Sequence, residues 1–350
     1  MLESEHPMSN PRRIAIVLFN LGGPDSLAAV QPFLFNLFND RNIINLPQPF
    51  RWAIAKLISS RRTPTATHVY QQMGGRSPIL PNTEAQAASL EALLIGGDEV
   101  RCFIAMRYWH PFTEDVAREV QAWGADEAIL LPLYPQFSTT TTASSVRVWN
   151  DTARKIGLHV PQRIVCCYPD EPGFIAALAD VTAKAIAQTR TSVPDAAPAI
   201  IFSAHGLPQK IVDAGDPYVT QVEATVRAAA AALGLGAGDY QIAYQSRVGP
   251  LKWVGPATDE TILAAAKAGK PIVVVPVAFV SEHSETLVEL DIEYGALARD
   301  NGAAAYVRAP TVATHPAFIA GLADLVRKAQ TQDGAVLHDG GKQAGSCLKG

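Results

Sequence analysis

The amino-acid sequence predicts an α/β protein made of two similar, doubly wound halves with parallel sheets. Three observations predict it. Short, continuous apolar runs alternate with longer amphipathic stretches, the pattern of strands covered by helices on both faces. The landmarks repeat in order: "IVLFNLGGP" is echoed by "IIFSAHGLP", and "LLPLYPQFSTTTT" by "VVPVAFVSEHSET". Of the 350 residues 48% are hydrophobic and 18% charged, enough apolar material for a sizeable core.

Taken in order, the strands are expected at "RIAIVLF" (13–19), "VRCFIAM" (100–106), "EAILLPL" (127–133), "RIVCCY" (163–168), "PAIIFS" (198–203), "YQIAYQ" (240–245), "PIVVVPVAF" (271–279) and "AAAYVRA" (303–309). Helices are expected over 26–38, 84–94, 113–123, 172–189, 217–233, 257–268, 283–300 and 315–328. The halves are placed at 13–150 and 151–330, with the last helix packing back on the first half. Residues 1–12 and the polar, Gly-rich 331–350 are expected to be disordered. The landmarks end near Pro24, Pro111 and Pro132, then near Pro208, Pro250 and Pro276. The first gap is longer in the first half, so an insertion of about 45 residues is expected near 40–85. Written as a helix, its "PFRWAIAKLISSRR" aligns Phe50, Ile54, Leu57 and Ile58 in one stripe. Trp52 lies off the stripe, among Arg51, Lys56, Arg61 and Arg62. Either this helix packs on the core, or it forms a greasy, basic lip that touches a membrane or an apolar ligand.

A net charge of −4 argues against binding nucleic acid by phosphate neutralisation. The start "MLESEHPMSNPRR" has no apolar core and no apolar stretch reaches spanning length. A cytoplasmic protein is expected, with or without peripheral contact to the inner membrane face. The four cysteines, Cys102, Cys166, Cys167 and Cys347, include no CxxC pair, so buried thiols are expected and no structural zinc or disulfide framework.

His205 ends the run "PAIIFSAH" on a turn where strand hands over to helix. Alone, it reads as structural. After the strand near Phe279, with Ser281 as N-cap, Glu282, Glu285, Glu289 and Glu293 fall at helical spacing on one face. Such a stripe is either a solvated acidic face or one wall of a site. Its start at a strand's carboxyl end, where open α/β sheets bind ligands, favours the site. Imidazole plus carboxylates can hold a divalent cation or take up protons. Other strand ends carry Arg107, Tyr108, Trp109 and His110; Tyr134 with the hydroxyls Ser138 to Thr142; and Arg247, Lys252 and Trp253. Hydroxyls and cations suit anionic edges, and aromatic faces suit a flat ring.

On "LFNLGGPDS", "GGRSPI", "MRYWHP", "LPLYPQFS", "SAHGLP", "YQSRVGPLKWVGPATDE" and "VAFVSEHSETLVELDIEYG", the chain resembles the ferrochelatases over about residues 12 to 330. The resemblance implies two Rossmann-like domains with a porphyrin cleft between them. It implies insertion of Fe²⁺ into protoporphyrin IX with release of two protons. His205, Glu285 and Glu289 would be catalytic, and His205 and Glu285 would hold the metal. Leu21, Arg107, Tyr108, Tyr134, Ser138, Thr139, Trp253 and Phe279 would line the porphyrin. Phe50, Trp52, Ile54, Leu57 and Ile58 would form the membrane lip. Relatives often have Met or Tyr at the place of Leu21, and some have arginines at the places of Gln71 and Gln72. Thr139 and a single tail cysteine, Cys347, stand where some relatives hold a [2Fe-2S] cluster, so no cluster is expected. The alternatives are a coproporphyrin III enzyme, a non-catalytic tetrapyrrole carrier and a two-domain solute-binding module. A serine hydrolase is poorly supported, because "SAHG" is no nucleophile elbow.

Overall fold

The computed structural model describes residues 11–247, 249, 251–331 and 336–338. In chain order the elements are β1 (Arg13–Asn20), α1 (Val30–Phe38), α2 (Phe50–Gln72), α3 (Ile79–Leu93), β2 (Glu99–Met106), α4 (Thr113–Trp123), β3 (Glu127–Pro132), α5 (Thr142–Ile156), β4 (Gln162–Cys167) and α6 (Pro172–Ser192). There follow β5 (Ala199–His205), α7 (Gln209–Asp213), α8 (Tyr218–Ala232), β6 (Tyr240–Gln245), α9 (Thr258–Lys267), β7 (Ile272–Pro276), a π-helix (Glu285–Glu293), α10 (Tyr294–Asp300), β8 (Tyr306–Arg308), α11 (Pro316–Thr331) and β9 (Val336–His338). All eight expected strands form.

The sheets run β2-β1-β3-β4-β9 and β6-β5-β7-β8, parallel throughout. Apart from β9, the second order repeats the first, strand for strand, as the duplicated landmarks predict. Alternation along each strand divides the cores. Ile14, Ile16 and Leu18 of β1 join Ile200 and Phe202 of β5 and Val273 and Val275 of β7 in one core that includes Phe174 of α6 and Leu322 and Leu325 of α11. Ala15, Val17 and Phe19 face the other way, onto Val116 of α4 and Trp149 of α5. Ile201 and Val274 face Ile262 of α9 and Ala298 of α10. α11 also reaches the first half, where Arg327 Nη2 donates to Leu93 O at 2.8 Å.

Three expectations need correction. Residues 336–338 are not disordered tail: they pair with β4, whose edge otherwise leaves backbone groups open. The rest of the tail, with Cys347, lies outside the described residues, as do residues 1–10. Pro11 and Arg12, expected in a disordered start, are placed, and Arg12 pairs with Asp98 at 2.8 Å. Third, α5 is an extra helix. Its hydroxyl-rich "TASS" start hides the buried series Val146, Trp149 and Ala153, and Gly157 ends it in the left-handed conformation at φ 70°. Among the described residues no helix is long and apolar enough to cross a membrane.

Candidate active site

The carboxyl ends of β5, β6 and β7 converge. His205 is the last residue of β5. The chain after it pairs antiparallel with the Trp253 strand segment through a Pro208–Trp253 bridge, and Val254 N donates to Leu207 O at 3.0 Å. Gly206 permits this approach: a β-carbon there would stand 2.8 Å from Gln245 O and 3.3 Å from Trp253 Cε3. Trp253 is thereby fixed beside His205. Past β7, the chain enters the π-helix at Glu285, and Glu285 Oε2 lies 2.9 Å from His205 Nδ1. The His205 side chain is 40% exposed and that of Glu285 28%, so the pair borders solvent.

Glu289 is held from the end of β6. It accepts from the Ser246 N–H (2.8 Å), the Ser246 hydroxyl, Gln245 Nε2 (3.3 Å) and the Tyr294 hydroxyl (2.9 Å). Ser246 takes φ 60°, the left-handed region that a serine enters only at a cost. Gln245 Nε2 also donates to Glu285 O at 3.2 Å, so one residue ties both acids to β6. His283 Nδ1 accepts the Glu285 N–H at 3.1 Å, and its ring sits edge-on to Phe279 with centroids 4.6 Å apart.

The charges follow from this geometry. Burial alone would lower His205, but the Glu285 carboxylate, with a smaller push from Glu289, raises it above its ordinary value. Burial would raise Glu285, yet His205, by charge and hydrogen bond, and then His283 bring it down to about 2. Burial and the neighbouring Glu285 charge raise Glu289 despite its hydrogen bonds. Burial lowers His283, with Glu285 and Glu282 opposing it in part. An ionised Glu285 makes His205 Nδ1 the protonated nitrogen, so Nε2 of the neutral ring carries the free lone pair. Among the described residues no group of three or more His, Cys, Asp or Glu side chains is gathered to hold a metal ion.

His205, Glu285, Glu289, Trp253 and Phe279 thus come together. Several of the other expected residues are engaged by partners within the protein. Tyr108 is 2% exposed and donates its hydroxyl to Asp40 Oδ2 at 2.7 Å, so it is a wall of the core and not an open ring face. Arg107 shares that carboxylate at 2.7 Å and reaches Ser144 at 3.1 Å. Ser138 and Thr139 were expected to meet an anionic edge. Instead their hydroxyls and the Thr139 N–H all donate to Asp216 Oδ2, at 2.7 to 3.0 Å, joining the halves. Tyr134 is half-buried, with its hydroxyl hydrogen-bonded to Ser145 and its pKa raised by burial. By the Pro24 and Pro208 landmarks, Leu21 takes in the first half the place of His205 in the second, and it packs with Val30, Tyr70 and Tyr108.

The acidic stripe also differs. Ser281 caps nothing; its hydroxyl donates to Gln86 of α3. Glu282 precedes the helix and pairs with Arg308 at 3.0 Å, and Glu293 is exposed. In the insertion, α2 packs through Ala55 and Ser59, leaving Phe50 66% and Trp52 52% exposed, with Ile54 and Leu57 also exposed and Ile58 half-buried. The packed-on-core alternative therefore fails for most of this stripe. Sequence reasoning missed Tyr70, whose hydroxyl bonds Ser284 and whose pKa burial raises to about 12, along with Ser246, Asp216 and His283. The "SEHSE" run signalled His283; nothing local signalled Asp216.

A family model described as Ferrochelatase matches residues 13–330. A protein from Phenylobacterium zucineum named ferrochelatase is 53% identical over 327 residues, 92% of this chain and 93% of its own. Those of Caulobacter vibrioides and Pelagibacter ubique, also named ferrochelatase, are 51% and 48% identical, each covering 90% of both chains. The solved structure of SirB from Bacillus subtilis with Fe³⁺ is similar at a TM-score of 0.52 and 11% identity, covering 91% of this chain and 96% of that one. At that identity the likeness is one of fold.

Proposed function

The chain belongs to the ferrochelatase family, and from that premise we propose that it inserts Fe²⁺ into protoporphyrin IX with His205 and Glu285 as the reacting pair. As a ferrochelatase it is a metal-inserting lyase whose substrates are a porphyrin and iron. The observation that carries the proposal is the 2.9 Å contact between His205 Nδ1 and Glu285 Oε2, at the carboxyl ends of strands and open to solvent.

Metallation breaks two pyrrole N–H bonds and forms iron–nitrogen bonds without a change in oxidation state, so the protein's task is to move protons and shape the ring. Binding over the rest of the macrocycle offsets the distortion that exposes nitrogen lone pairs. His205 Nε2 accepts one pyrrole proton, and Glu285 stabilises the imidazolium. A raised imidazole pKa strengthens the neutral ring as a proton acceptor and stabilises the imidazolium it becomes. Glu289 accepts a proton next: its raised pKa suits the role. Trp253 and Phe279 supply ring contacts.

Protoporphyrin is preferred over the more carboxylated coproporphyrin. Arg107 is already engaged by Asp40, and Gln71 and Gln72 carry no charge, so none of these three offers a free cation to an extra carboxylate. The exposed apolar lip suits a ring delivered from a membrane surface, and a cytoplasmic enzyme touching that surface peripherally fits it. No [2Fe-2S] cluster is proposed, because a cluster takes four thiolates and Thr139 is engaged with Asp216. The two halves, 13–150 and 151–330, act as walls of the cleft. Anaerobic mixing with Fe²⁺ and each porphyrin, followed by absorption, tests the reading. Metallation of protoporphyrin at the higher kcat/KM is expected; metal-free binding of both would leave a carrier.

A further inference from the structure

Residues 285–293 form a π-helix, with Tyr294 N–H bonded to Glu289 O. This form is rare and survives only where surroundings impose it. Much of the restraint comes from β8. Residues two apart on a strand share a face, and Tyr306 and Arg308 both reach the π-helix. The Tyr306 hydroxyl donates to Leu290 O. Arg308, its side chain 8% exposed, donates Nη1 to Glu282 Oε1 at 3.0 Å and Nη2 to Asp291 Oδ2 at 2.8 Å. Glu282 lies before the helix and Asp291 within it, so one guanidinium fork spans the segment that carries Glu285. Glu282 passes the restraint on. It accepts from Thr311 N–H at 3.0 Å and from the Thr286 hydroxyl, and Thr286 Oγ1 accepts the His283 N–H at 3.0 Å.

We propose that Arg308 is a positioning residue: by bridging Glu282 and Asp291 it holds residues 285–293 π-helical and so keeps Glu285 against His205. The proposal rests on the reading of that pair as the reacting groups. Arg308 touches neither of them. A planar fork serves two carboxylates at a fixed separation, whereas a lysine ammonium acts as a single point charge. Losing one tie frees the segment toward i→i+4 bonding, which changes the angular offset between Glu285 and Glu289.

The test is anaerobic steady-state kinetics on the full chain with protoporphyrin and Fe²⁺, comparing Arg308→Lys, Glu285→Gln and the double variant. In Arg308→Lys, kcat should fall about three- to thirtyfold, no further than in Glu285→Gln, with porphyrin KM within about twofold. Added to Glu285→Gln it should cause no further loss, because residues that act through one another are non-additive. If Arg308→Lys does not fold, Asp291→Asn releases only the more exposed arm and should show the same split, smaller. Wild-type kcat in the folded variant, or a multiplicative loss in the double variant, overturns the proposal. Full activity in Glu285→Gln overturns the reading of the pair instead. Amide exchange over 285–293 then decides the strap alone: faster exchange in Arg308→Lys supports it, and unchanged exchange refutes it.

Discussion

Replacing Glu285 by glutamine removes the charge that sets His205 while keeping the side chain's size. Holding the carboxyl at about 2 instead of its ordinary 4.5 corresponds to roughly 3 kcal/mol. The pair is partly open, so solvent screening reduces this to about 1–2 kcal/mol. If that coupling supports the imidazolium formed during metallation, its loss lowers the rate about five- to thirtyfold. The pH dependence has a definite sign. Without Glu285, burial dominates at His205 and its pKa falls, so the acid limb of kcat/KM moves to lower pH. Stability follows the same pair. The lowered Glu285 contributes above its ordinary value and loses that contribution as pH falls toward 2. The raised His205 contributes below its ordinary 6.5 and loses that as pH rises through the folded value. The Tm difference between wild type and Glu285→Gln should therefore be largest between these windows, in mildly acidic buffer. The assay is the anaerobic initial rate across pH, with Tm measured in the same buffers. An unmoved acid limb at an unchanged rate would refute the coupling.

Other expectations follow from single contacts. Ser246→Gly relieves the φ 60° strain but removes a hydroxyl donor, so the Glu289 carboxyl should titrate still higher by carbon NMR; an unchanged titration would show the hydroxyl to be idle. Asp216→Asn puts an amide where three donors converge and should cost about 1–3 kcal/mol, read as a lower Tm; unchanged Tm would mean the halves are joined elsewhere. Trp52→Glu with Ile54→Glu, both at exposed sites, should keep Tm but weaken sedimentation with anionic vesicles; equal sedimentation removes the lip from membrane contact.

Much of the fold was legible because parallel strands buried on both faces are written as unbroken apolar runs, and all eight such runs became strands. The duplicated Pro24 and Pro208 landmarks likewise marked equivalent strand exits, one ending in Leu21 and the other in His205. What stayed hidden was non-local or unusual in backbone form. The period of Glu285, Glu289 and Glu293 reads as an α-helix; the π-helix is bonded by Tyr306 and Arg308, which come later in the chain. Ser138 and Thr139 look like ligand hydroxyls until Asp216, 77 residues beyond Thr139, is brought against them. β9 was masked by a tail composition typical of disorder. The site's pair was named from the sequence, but its tautomer and charge balance needed the 2.9 Å contact.

The most direct measurement is a single anaerobic turnover with His205→Ala, protoporphyrin and Fe²⁺, followed by absorption. The ring should bind and keep its metal-free spectrum over times in which the wild type completes insertion. Metallation at the wild-type rate would contradict the assignment of the imidazole as the first proton acceptor.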